Sequence, residues 1–171
     1  MSAAATDIGY RPAIEADHAA IIDVADEWAG GRRVRETLPH LWLRHFASTS
    51  LIAETPDGRL AGFLVGLVSP DRPTDGVIAA LGVRPGLRRR GIGRSLVKRF
   101  ATAAAEDGAT RAEIVVWPGD PVVVAFLRAI GFIADAGPGT QNRYGTPAYP
   151  DLDGEREDRA IFWLPIAPTG R

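Results

Sequence analysis

The residue types best able to do chemistry stand together in Leu81-Gly82-Val83-Arg84-Pro85-Gly86-Leu87-Arg88-Arg89-Arg90-Gly91-Ile92-Gly93-Arg94-Ser95. An apolar strand pattern runs there into a basic, glycine-bearing turn and then into a helical pattern. That order suits a phosphate cradle. A helix start leaves several N–H groups without intrahelical partners and carries partial positive charge, while glycine lets a ligand approach the backbone. Arginine adds charge and forked donors. From Arg84 to Ala105 seven residues are basic and none is acidic, although the whole chain has 20 Lys+Arg against 21 Asp+Glu. The positive charge is therefore concentrated at this turn. Two familiar phosphate motifs do not fit: Ile92-Gly93 stands where a P-loop needs Lys-Ser/Thr, and Leu96 stands at the third glycine of a dinucleotide fingerprint.

The elements that must position this turn follow from periodicity. Ile8 to Arg11 reads as a first strand, and Ile14, Ile21, Ile22, Ala25 and Trp28 recur at helical spacing until Gly30-Gly31. A second helix is expected from about Val34 to Ala47, with His45 packed on its apolar side, although Pro39 complicates its start. Leu51 to Glu54 and Leu60 to Val68 read as a hairpin closed by Pro56-Asp57-Gly58-Arg59. Ser69 to Gly76 reads as a loop, and Val77 to Val83 as a central strand covered on both faces. Leu96, Val97, Phe100, Ala101 and Ala104 mark one face of the helix after the turn. A strand follows at Arg111 to Trp117, then Asp120-Pro121 opens a helix that Gly131 ends. Phe132 to Ala134 and Ala160 to Ile166 read as strands, with a long functional loop from Gly137 to Asp158 between them.

Composition sets the outer bounds. With 171 residues, 46% of them hydrophobic, the chain can bury one sizeable core, so a single domain over 1–171 is expected, with 1–6 flexible. Alternating strands and helices make it α/β (α+β), with one mixed sheet. A net charge of −1 argues against nucleic acid as a partner. The absence of cysteine and the scatter of three histidines leave no metal site to expect. No signal peptide or membrane span is read, which makes a cytoplasmic protein with no membrane partner the expectation.

Arg88-x-x-Gly91-x-Gly93, preceded by Leu81-x-Val83 and followed by an amphipathic helix, closely resembles the acyl-CoA-binding signature of the GNAT superfamily of N-acetyltransferases. The order of elements matches over nearly the whole chain, down to Gly131-Phe132. The resemblance implies a mixed sheet whose fourth and fifth strands splay to hold pantetheine, and acetyl-CoA as co-substrate. It places the Leu81 N–H near the thioester carbonyl as an oxyanion donor and the Val83 backbone against pantetheine. Backbone groups of Arg88, Arg89, Arg90, Gly91, Ile92 and Gly93, extending to Arg94 and Ser95, would hold the pyrophosphate. Homodimerisation is an expectation of the resemblance that no residue here carries.

The sequence departs from the family pattern at two places. Counting back from Gly131, Asp120 and Leu127 stand where such enzymes often carry an Asn that touches pantetheine and a Tyr that protonates the thiolate. Asp120 reads as a helix cap or a cofactor contact, and Phe126 as packing against the sheet or the cofactor arm. The strand Val77-Ile78-Ala79-Ala80 lacks the glutamate base of many relatives. The resemblance puts acceptor recognition in the loop joining the first two helices and in the late loop. There Trp28 reads as a pocket wall or a core residue, Glu27 as a base or a solvated carboxylate, and Arg32 as a receptor for an acceptor carboxylate or a solvated cation. Tyr144 is a replacement acid or a loop anchor. The activity implied is acetyl transfer from acetyl-CoA to a primary amine of a small molecule or peptide, by direct attack on the thioester. The alternative is a noncatalytic acyl-CoA-binding or sensing domain.

Overall fold

Leu60–Val68 and Asp75–Val83, two long runs with almost no charged residue inside, become neighbouring strands at the middle of a seven-stranded sheet. Runs of that kind form strands covered on both faces. The computed structural model describes residues 7–29 and 33–167; the expectation for residues 1–6 lies outside them. The strands are β1 (Gly9–Pro12), β2 (Leu51–Glu54), β3 (Leu60–Val68), β4 (Asp75–Val83), β5 (Arg111–Val116), β6 (Ile133–Ala134), β7 (Gln141–Arg143), β8 (Thr146–Ala148) and β9 (Ala160–Pro165). The large sheet has the order β1-β2-β3-β4-β5-β9-β6, and β7-β8 form a separate pair. Among the described residues only β4 and β5 are parallel; the other paired neighbours are antiparallel. The mixed sheet flanked by helices is the architecture the sequence pattern predicts.

Helices α1 (His18–Trp28) and α2 (Leu41–His45) cover one face, and α3 (Ile92–Glu106) and α4 (Pro121–Ala129) cover the other. Ile92, Leu96, Val97, Phe100 and Ala104 of α3 are buried at helical spacing, in one core with Ile78, Ile114 and Phe162 of the sheet. Ile21, Ala25 and Trp28 of α1 meet Ile52, Phe63, Val65 and Ala80 from the opposite face. The sheet is thus a wall between two cores.

Three expectations need correction. The helix read over Val34 to Ala47 is a 3-10 turn at Val34–Thr37, the five-residue α2, and a second 3-10 turn at Ala47–Thr49. Pro39 lacks an N–H and disfavours helical geometry in the residue before it, so Leu38 sits outside the helix region at φ −116 and ψ 65. The interruption rotates His45 outward, and it is exposed rather than packed. The third correction concerns Gly137 to Asp158, which contains the β7-β8 hairpin and contributes the buried Thr146 and Ala148. Tyr144 and Gly145 both have positive φ, 53° and 79°, as a two-residue primed turn requires. Asn142 Oδ1 accepts the Gly145 N–H at 3.0 Å and fixes that turn.

Candidate functional site

The site is built first by what β4 and β5 fail to do. Their parallel register runs from Asp75↔Arg111 to Ile78↔Ile114 and then stops. At that point Ala79 is an extra residue in β4, because Val65 of β3 pairs with Ala80 and the next residue, Gly66, pairs with Ile78. A bulge of this kind bends its strand and increases the local twist. Beyond it, Ala80 to Val83 stay paired to β3 while no pair joins them to Val115 or Val116. The sheet is open there.

Alternation decides which backbone groups face the opening. The Arg84 N–H donates to the Ala61 carbonyl of the β3 side at 2.9 Å. Since the N–H and C=O of a strand residue share an edge and successive residues alternate, Gly82 turns to β3 and Leu81 and Val83 turn their backbone groups into the gap. The Val83 carbonyl accordingly accepts from Arg88 Nε at 3.2 Å rather than from a strand.

Gly82 shows what lies behind this segment. A Cβ on Gly82 would stand 2.5 Å from Phe63 Cε1 and 3.1 Å from Trp28 Cβ. Trp28, at 9% exposure, therefore backs the strand between Leu81 and Val83 as part of the core.

The chain next makes a 3-10 turn at Pro85–Leu87 and enters α3 through Gly91, whose φ of 81° and ψ of 2° are left-handed. Ser95 N–H donates to the Gly91 carbonyl at 2.9 Å. Ile92, Gly93 and Arg94 precede the residues that can find an intrahelical acceptor, so their N–H groups point out of the helix start. Among the described residues no side chain caps this end, and its first turn has no acid. The positive end of a 15-residue helix is left available to an anion. A Cβ on Gly91 would meet nothing within 4 Å, so the glycine serves backbone conformation. At Gly93 the same atom would stand 3.0 Å from Phe126 Cζ, so that glycine admits α4. Ile92 is buried and anchors the helix start in the core.

The arginines of the turn bind carbonyls. Arg88 Nη2 donates to the Trp28 carbonyl at 3.2 Å, Arg94 Nη2 to the Ala129 carbonyl at 3.4 Å, and Arg84 to the Leu60 carbonyl. The Arg84 guanidinium also stands 5.6 Å from the centroid of the Trp28 ring. Among the described residues Arg84, Arg88, Arg89 and Arg94 have no carboxylate partner, unlike Arg11 with Asp17 and Glu54 or Arg111 with Asp75. Their charge is not neutralised locally. At the closed end of the same two strands Asp75, 3% exposed, accepts from Arg111 Nε at 2.8 Å and Nη2 at 2.9 Å. The Arg111 guanidinium holds that carboxyl below the usual carboxylate range.

The remaining site expectations fall at different distances from the gap. Asp120 caps α4, its Oδ1 accepting from Val122 and Val123 N–H at 3.0 Å each. Leu127 is core, and Phe126 is half-buried against the start of α3. Glu27 is exposed beside Trp28. Tyr144 is 75% exposed at the β7-β8 tip, with its ring centroid 5.7 Å from that of Trp117, which follows β5 at the open end of the gap. Arg32 lies outside the described residues.

Glu113 was not singled out from sequence. It pairs in register with Val77, one residue before the pairing ends. Ala112 and Ile114 are buried with α3, so the half-buried Glu113 faces the side of the sheet opposite that helix. The period-2 pattern of β5 carried that signal. A cleft of about 340 Å³ lies between α4 and the hairpin, lined by Pro118, Val124, Ala125, Arg128, Tyr144 and Thr146, on the side of α4 away from Phe126. Among the described residues no helix is long and apolar enough to cross a membrane, and no acid or histidine group could hold a metal.

Comparison with known proteins agrees with this geometry. A family model described as acetyltransferase (GNAT) family matches residues 17–132. An L-2,4-diaminobutyric acid acetyltransferase of Nocardia farcinica is 30% identical over 135 residues, 75% of this chain and 69% of that protein. Among solved structures, Ard1 from Thermoplasma volcanium superposes with a TM-score of 0.74 at 17% identity, covering 94% of this chain and 98% of that one. A diaminobutyrate acetyltransferase from Paenibacillus lautus, in complex with L-2,4-diaminobutyric acid and coenzyme A, gives 0.68 at 19% identity, covering 96% and 99%. At these identities the structural likenesses carry the fold.

Proposed function

We propose that this chain, which belongs to the acetyltransferase (GNAT) family, acetylates a primary amine of a small diamino acid of the L-2,4-diaminobutyrate type. The observation that carries the reading is the opening between β4 and β5. Backbone groups of Leu81 and Val83 that no strand pairs lead there, through the turn at Pro85–Leu87, into an uncapped helix start.

Acetyl-CoA supplies an activated acyl thioester. Leu81 N–H donates to the thioester oxygen and stabilises the charge that develops there on attack. Val83 holds the pantetheine amides as an added strand would. The N–H groups of Ile92, Gly93 and Arg94 bind the diphosphate, with the unneutralised charge of Arg84, Arg88, Arg89 and Arg94 around them. Orienting an amine against a bound thioester removes much of the barrier, and what remains is a route for protons. Glu113 is the base we assign, taking the amine proton directly or through one water. Tyr144 is the acid at the mouth of the gap. Glu27, in the last turn of α1, and Arg32, five residues later in sequence, are assigned to the ammonium and carboxylate of the acceptor.

The diamino acid acceptor is supported by the name of the 30% identical relative. The test is incubation with acetyl-CoA and L-2,4-diaminobutyrate, following free CoA thiol and the acetylated product by mass spectrometry. Turnover of other amines with none of diaminobutyrate would overturn the acceptor. No acetyl-CoA binding by calorimetry at millimolar cofactor, in folded protein, would overturn the site itself. Glu113→Gln should lower kcat about a hundredfold at unchanged acetyl-CoA affinity.

A further inference from the structure

Helices α1 and α2 share their core with Ile52, Phe63, Val65 and Ala80, which stand on β2, β3 and β4. On the same face of the sheet β5, β9 and β6 add nothing to that core. Register pairing sets Val77, Glu113, Trp163 and Ile133 side by side on β4, β5, β9 and β6. Their neighbours in sequence, among them Ile78, Ile114, Phe162 and Phe132, are buried with α3, so by alternation this row faces the other way. None of its three apolar members packs against either core. Ile133 is exposed, and Glu113 and Trp163 are half-buried. One step toward the open end Val115, also exposed, stands opposite Ile161.

Within the row Glu113 and Trp163 are direct cross-strand partners, which puts their Cβ atoms about 5 Å apart. Among the described residues Glu113 makes no hydrogen bond or ion pair, and Trp163 makes no ring contact, cation–π contact or side-chain hydrogen bond. Arg111, two residues earlier on β5, senses the Glu113 charge but gives its fork to Asp75. The carboxylate and the indole are both left to a ligand.

That pair suits one chemical class. A carboxylate accepts charge-assisted hydrogen bonds from a cation, the ring quadrupole attracts the same charge, and the flat apolar ring covers the methylene next to it. A primary alkylammonium satisfies all three, whereas an alcohol of the same length satisfies only the last.

We propose that Glu113 and Trp163 form an alkylammonium site, in which Trp163 selects the protonated amine and holds it against Glu113. Near neutral pH a primary amine is mostly R–NH3+, which has no lone pair with which to attack a thioester. One N–H proton passes to a Glu113 carboxylate oxygen, the nitrogen keeps the bonding pair as its lone pair, and neutral R–NH2 moves over Val115 toward the gap. The proton transfer rests on the role given to Glu113 under the proposed function; the binding does not.

Binding is read without turnover. The indole N–H resonance of Trp163, identified in isotope-labelled protein by its loss in Trp163→Phe, should move with n-butylamine at neutral pH and stay in place with n-butanol, each up to about 50 mM. A resonance that butylammonium leaves unmoved, or that both probes move alike, overturns the site. Kinetics with L-2,4-diaminobutyrate give the second readout. Trp163→Met keeps an apolar side chain without an aromatic face, so KM should rise about tenfold with kcat within about twofold. Trp163→Phe restores such a face and should bring KM back to within about threefold of wild type. Because Trp163 lies outside both cores, both variants should fold. A Met variant with wild-type KM overturns the inference, as does a rise that Phe does not reverse. A wild type that acetylates no amine, yet whose Trp163 resonance moves with butylammonium, overturns the proposed function and leaves the site standing.

Discussion

The two ends of the β4–β5 pair use the same kind of apolar strand for opposite purposes. At the closed end four register pairs join the strands, and Asp75 with Arg111 clamps them by a bidentate ion pair to a buried carboxylate. At the open end one extra residue, Ala79, ends the pairing, and Leu81 and Val83 turn their backbone groups away from the β3 ladder, the Val83 carbonyl taking Arg88 Nε. Charge differs in the same sense. Arg111 is neutralised by Asp75, whereas the turn arginines other than Arg90 meet carbonyls and the Trp28 ring or have no partner among the described residues. Stability is concentrated at one end so that polar groups can stay unsatisfied at the other.

The comparison can be broken most severely at Leu81. Leu81→Pro deletes an N–H that faces the gap and leaves the β3 ladder intact, so it should lower kcat about a hundredfold with a smaller loss of acetyl-CoA affinity. Steady-state kinetics and calorimetry on the same preparation check the split.

At the closed end, Asp75→Asn should lower unfolding free energy by about 2 kcal/mol, read from urea denaturation, with kcat changed far less. Here the sign of the pH effect is fixed. The native carboxyl titrates below its ordinary value, so its contribution is complete above about pH 4 and is lost as pH falls through the depressed native value. The Asn variant should lack that part of the acid destabilisation.

Smaller effects are expected within the turn. Gly91→Val places a β-branched side chain at φ 81°, which should weaken acetyl-CoA binding about tenfold and cost about 1–2 kcal/mol of stability. Arg89→Ala should change acetyl-CoA affinity by about threefold or less, since Arg89 already has φ 65° and its side chain is exposed. A larger loss at Arg89 than at Gly91 would show that side-chain charge, and not the backbone, holds the diphosphate.

Much of this was legible before any coordinates. The hairpin over Leu51 to Val68, the strand into Val83, the turn and α3 all carry local signals: turn residues, period, glycine spacing and a concentration of arginine. Asp120 also announced its role as a cap, because capping is a contact within three residues. What failed locally was the second helix, where apolar spacing suggested continuity and Pro39 prevented it. The β7-β8 hairpin was hidden for a related reason: Tyr144 adopts a left-handed conformation that its residue type does not advertise.

The sequence by itself determined the cradle, because a phosphate site made of backbone N–H groups needs only a strand, a glycine-bearing turn and a helix start in succession. Only the tertiary structure decided that the strand before it is free to act. The direction of the Leu81 and Val83 backbone follows from a bulge defined by pairing with β3, and the gap is an absence of pairing with β5. The partners of Arg88 are equally non-local, since a guanidinium reaches whichever carbonyl the fold brings near, and here that is the end of a helix 60 residues earlier. Contacts between neighbours in sequence can be read from residue type and spacing, whereas contacts across the sheet exist only once the chain has closed on itself.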